Sequence, residues 1–87
     1  MDQKRTAEAL PLLRRSAKLA KKQLGAAHPH YATALGNLAA GLAEHGEADE
    51  ARRHAEKALG ISREALGEAH ASTKELAATL ERLGRTA

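Results

Sequence analysis

The stretch Leu24-Gly25-Ala26-Ala27-His28 returns as Leu66-Gly67-Glu68-Ala69-His70, 42 residues further along the chain. A repeat at fixed spacing constrains the fold more than any local propensity, because each copy must take one shape and the copies must bury their apolar faces on each other. Other positions keep the interval: Leu38 pairs with Leu80, Leu19 with Ile61, and Ala9 with Ala51. The 87 residues therefore hold about two periods within a single domain, 1–87. A chain this short buries only about 60% of its unfolded surface.

Punctuation and periodicity divide one period into two helices. Pro29 suits a first helical position, where its missing N–H would have had no partner. Apolar residues then fall at Tyr31, Leu35, Leu38, Ala39 and Leu42, which share one helical stripe, and Gly46 ends the run. A second helix follows with Ala51, Ala55, Ala58, Leu59 and Ile61 inward. The same division predicts four helices at about 6–24, 29–45, 48–65 and 73–83. The first carries Leu10, Leu13, Ala17, Leu19 and Leu24 mostly inward, with Pro11 in its opening turns. The last is opened by a capping box, Ser72-x-x-Glu75. Along the chain the order is second helix, first helix, second, first.

Composition supports helices and narrows the chemistry. Hydrophobic residues make up 43% of the chain, almost all Ala and Leu, with no Val, Phe or Trp and one Tyr. Strand-forming residues are nearly absent. A formal charge of +3 is too small to demand a nucleic-acid partner. Without cysteine there is no disulfide, thiolate zinc site or cysteine nucleophile. Met1 to Arg5 is polar and leads into no apolar run of signal-peptide length, and no stretch approaches a membrane span. These features fit a soluble, cytoplasmic protein with no membrane association.

The spacing of Leu35, Leu38, Ala39, Leu42, Gly46, Ala51, Ala55 and Ala58 resembles that of a tetratricopeptide repeat, W-x2-L-G-x2-Y followed by A-x3-F. Leucine stands for the tryptophan and tyrosine, and alanine for a glycine and a phenylalanine. The usual period is 34, and eight further residues lengthen the second helix by about 12 Å. This longer unit, with Leu-Gly-x-x-His-Pro from Leu24 to Pro29, is similar to the kinesin-light-chain type, as is Ala9-Leu10-Pro11-Leu12-Leu13. The final unit departs from the pattern: Ala71 replaces the linker proline, Glu81 sits where a small residue packs, and Gly84 falls where leucine or an aromatic belongs.

The resemblance implies an all-α fold of antiparallel helical hairpins stacked as a short right-handed solenoid, with an extended concave surface. It also implies a non-catalytic module that grips a peptide or helix along the first helix of each hairpin. On the second predicted helix, the face about 100° from the leucine stripe carries Thr33, Gly36, Asn37, Ala40 and Glu44. Asn37 matches the family's asparagine, and a side-chain amide offers donors and an acceptor to a peptide backbone. Against groove contact stands an ordinary solvated residue. Thr79 lies 42 positions beyond Asn37, with Ala78 and Arg82 beside it, and Arg82 suits a carboxylate. Gly36, Gly41 and Gly60 fall inside helices; either their missing side chains admit a close neighbour, or they reflect an Ala- and Gly-rich composition.

Other signals have plain explanations. His28 and His70 occupy equivalent linker positions and read as structural, while His30 finds no third ligand nearby and His45 and His54 read as surface residues; no metal or other cofactor is expected. Arg14, Arg15, Lys18, Lys21 and Lys22 form a basic face that reads as solvated and convex, although phosphates or an acidic partner are alternatives. Glu44, Glu47, Asp49 and Glu50 are of opposite sign and gather around a helix start. Ser16, Ser62 and Ser72 lack a nucleophile elbow, so no enzymatic activity is expected. Apolar faces open at both ends suggest a homo-oligomer, and a third reading is an engineered or excised repeat scaffold without a native ligand.

Overall fold

A computed structural model describes residues 3–86, with side chains over 8–84. Among the described residues four helices occur: α1 Gln3–Leu24, α2 Pro29–Glu44, α3 Ala48–Leu66 and α4 Ala71–Thr86. No strand occurs among the described residues. Helix α2 packs on α1 and α3, while α4 packs on α3 and touches α2; α1 and α4 do not meet. The result is a two-layer stack measuring 34 × 30 × 18 Å, with α2 and α4 in one layer and α1 and α3 in the other. This is the hairpin stacking that the repeat predicts.

The two linkers show how a repeated sequence makes a repeated turn. Gly25 and Gly67 have φ of 98° and 88°, a left-handed conformation open to glycine without strain. Each closes the preceding helix through its N–H, onto Lys21 O and Arg63 O respectively, both at 3.0 Å. The following histidine N–H then bonds the glycine carbonyl at 3.3 Å in both linkers. His28 Nδ1 accepts from the N–H of His30 at 3.1 Å, and His70 Nδ1 accepts from Ser72 at 3.1 Å. Both imidazoles therefore cap helix N-termini, which would otherwise present unpaired N–H groups.

This cap corrects the start of α4. The helix opens at Ala71 and not near 73, and His70 takes the place expected for Ser72 and Glu75. Helix α1 likewise begins earlier, at Gln3, so Pro11 lies inside it and not in its opening turns. There the proline ring removes an interior hydrogen bond.

The core is built from small residues at the helix crossings. Ala39, Leu42, Ala51, Ala55 and Ala58 are fully buried where α2 meets α3. Leu10 and Ala17 carry this core into α1, and Leu76 and Leu83 carry it into α4. Leu19 and Leu24, expected inward, are instead about half exposed (50% and 46%), and Leu12 is 66% exposed. They lie off the α1 face that meets α2.

Between α3 and α4 one polar contact sits inside this apolar packing. Ser62 Oγ and Thr73 Oγ1 lie 2.8 Å apart, both buried. Each hydroxyl thereby escapes the cost of an unpaired buried polar group.

Candidate partner-binding site

Two helices of the same layer, α2 and α4, run side by side with a trough between them. Its upper part, ≈ 320 Å³, is lined by Thr33, Gly36, Asn37 and Ala40 from α2, and by Ser72, Glu75, Leu76, Ala78, Thr79 and Arg82 from α4. A continuation of ≈ 470 Å³ shares Ala40, Thr79 and Arg82 and adds Ala43, Glu44, Ala48 and Leu83. The eight residues singled out from sequence thus lie along one continuous hollow.

Ser72, Glu75 and Leu76 also line the trough; in the sequence Ser72 and Glu75 read as a capping box, and nothing in the string marks Leu76 as facing α2. The three stand seven, four and three positions before Thr79, on the same helical face. Extending the helix to Ala71 adds that turn to the wall.

The polar groups in the trough are not equally available. Thr33 Oγ1 donates to Pro29 O at 3.2 Å, and Thr79 Oγ1 donates to Glu75 O at 3.0 Å. Thr79 also accepts from Arg82 Nη2 at 3.4 Å. Both threonine protons are therefore committed to their own helices. Asn37 is exposed, and its amide has no partner among the described residues. Glu75 and Arg82 set opposite charges along α4, separated by about 10 Å of helix rise.

Gly36 has a role the sequence left open. A Cβ built there meets Leu76 Cδ2 at 2.8 Å, so the bare backbone lets α4 seat its leucine on α2. Gly41 does the same for α1, where a Cβ would lie 2.8 Å from Leu13 Cδ1 and 3.3 Å from Leu10 Cδ2. Gly60 faces open space, so packing gives no reason for it.

A family model described as tetratricopeptide repeat matches residues 1–64, through α1 and α2 and most of α3. The chain belongs to the tetratricopeptide repeat family. A comparison with characterised proteins found no match. Tetratricopeptide repeats are non-catalytic modules that mediate protein–protein interaction. In this tetratricopeptide repeat chain, α2 and α3 form one hairpin, α1 stands as the second helix of a preceding unit, and α4 as the first helix of a following one.

The basic face of α1 is not simply solvated. Arg14 forms a two-point ion pair with Glu50 of α3, Nη1 to Oε2 at 2.6 Å and Nη2 to Oε1 at 3.1 Å. The Arg14 hydrogen bonds hold the Glu50 carboxyl at about 2, well below its ordinary value, and the charge of Arg14 adds to them. His54, expected on the surface, is part-buried and lies 3.4 Å from the same carboxylate. Among the described residues no group of three His, Cys, Asp or Glu stands close enough to hold a metal, and no helix is long and apolar enough to cross a membrane.

Proposed function

We propose that this tetratricopeptide repeat chain binds an extended or helical peptide of a partner protein in the trough between α2 and α4. The observation that carries the reading is Asn37, whose unpartnered amide stands in a hollow where the neighbouring threonine protons are already used. In that position the amide offers two donors and an acceptor to a passing backbone. Arg82 takes a ligand carboxylate, and Glu75 favours a basic group at the other end. The 42-residue interval and the Leu-Gly-x-x-His linker support the kinesin-light-chain type of repeat. Nothing in this binding calls for a cofactor, and a cytoplasmic setting suits a cysteine-free interaction module.

The test is a peptide selected from a random library on the immobilised chain, then titrated against Asn37→Ala and Thr33→Arg. Both variants are expected to weaken binding about tenfold or more, with helicity by circular dichroism unchanged. Equal affinity for both would remove the trough assignment.

A second reading, self-association, is favoured by the exposed leucines Leu12 and Leu19 of α1, which stand seven residues apart and so on one helix face, where exposed apolar side chains tend to be covered. It predicts a homodimer at micromolar concentration. Light scattering that gives a 9.2 kDa particle at every concentration rejects it.

A further inference from the structure

On the face away from the trough, α1 and α3 stand apart over α2 and leave a cleft of ≈ 640 Å³. Its floor is apolar: Tyr31, Leu35 and Leu38 of α2, with Ala17 on the α1 wall. The rim is basic. Arg15, Lys18 and Lys21 line it with no ion partner among the described residues, and Lys57 Nζ sits 5.6 Å over the Tyr31 ring. No carboxylate lines the cleft, and the nearby Glu50 is held by Arg14.

We infer that this cleft between α1 and α3 docks a second partner segment, an acidic peptide carrying leucine-like side chains. Charge complementarity sets the sign: uncompensated cations spread over nearly two turns of α1 fit a row of carboxylates better than a single anion. Leu35 and Leu38 are already buried, so apolar side chains alternating with the acids would lie on exposed Pro11 and along the aliphatic stems of Lys18 and Lys21 at the mouth. A nucleic-acid strand fits poorly, since the Tyr31 ring is buried and capped by Lys57 and offers no free face for base stacking. No residue lines both this cleft and the trough. The cleft is thus independent of the trough, and the two faces would hold two partners at once.

Fluorescence anisotropy with a labelled ten-residue peptide of alternating Glu and Leu tests this. The double variant Lys18→Glu/Lys21→Glu is expected to bind about tenfold more weakly, with unchanged circular dichroism because both side chains are exposed. Raising salt from about 0.05 to 0.2 M should weaken binding several-fold, as for any exposed ionic contact. A Glu/Ser analogue should bind more weakly than Glu/Leu, and Asn37→Ala should bind equally well. Equal affinity of the double variant would overturn the proposal. So would loss of binding in Asn37→Ala alone, which moves the peptide to the trough, or displacement by an equal concentration of a ten-nucleotide oligothymidylate. Loss of self-association in the double variant, with peptide binding retained, would overturn it by giving the cleft to a second copy.

Discussion

The histidines show how much a single side chain can decide. Their 42-residue spacing marked them as structural, yet what an imidazole does in a linker was not legible until Nδ1 was placed against a helix N–H. The cap predicts its own energetics. His28→Ala and His70→Ala should each cost about 1 kcal/mol in urea unfolding, and His28→Asn, which keeps an acceptor, should recover most of that. Equal losses for Ala and Asn would mean that the ring acts by packing. The interior glycines divide in the same way. Gly60→Ala should stabilise by about 0.5–1 kcal/mol, because its Cβ meets nothing. Gly36→Ala should gain little or lose, because Leu76 must give way. Sequence alone treats these glycines alike, since the difference between them lies in a neighbouring helix.

At the scale of elements, helix existence and order were legible from periodicity, and boundaries were less so. Helix α4 opens two residues before the start that the Ser72 and Glu75 capping-box pattern predicts, because His70, two residues ahead of Ser72, holds the cap. Leu19 and Leu24 read as inward from the repeat, but among the described residues α1 packs on α2 and reaches α3 through the Arg14–Glu50 ion pair, which leaves both leucines about half exposed.

Two contacts between helices were hidden from sequence altogether. Ser62→Ala should cost about 1–3 kcal/mol by leaving Thr73 buried without its partner, and Ser62→Ala/Thr73→Val should recover most of the loss. Additive losses in denaturant unfolding would show that the hydroxyls do not couple. The Arg14–Glu50 pair ties α1 to α3 across the cleft and is partly exposed, so it should contribute about 0.5–1 kcal/mol. Because the Glu50 carboxyl titrates at about 2 when folded, below its ordinary value of 4.5, this contribution is whole above pH 4.5 and lost as pH falls toward 2. The stability gap between the chain and Arg14→Gln should therefore close over that window. A gap that persists at pH 2 would point to packing by the Arg14 stem.

The whole molecule is a stack of helices whose two layers give it two unlike faces. Its architecture was readable because one repeat interval dictates both turn and packing: Gly25 and Gly67 make the same bend, and the alanines of α2 and α3 meet at close range. The trough lining was readable in large part because residues on one face of α2 reappear 42 positions later on α4. What sequence could not supply was the availability of each group, since committed threonine protons and a free asparagine amide look equally polar in a string of letters. Nor could it show that the basic face of α1 borders a cleft, which depends on how far α3 stands away. The most direct test of the trough is an amide chemical-shift map of the isotopically labelled chain, titrated with a library-selected peptide. The account predicts perturbations at the Asn37 side-chain amide and at the Thr79 and Arg82 backbones; an unmoved Asn37, with shifts confined to Lys18, Lys21 and His54 or to Leu12 and Leu19, would contradict it.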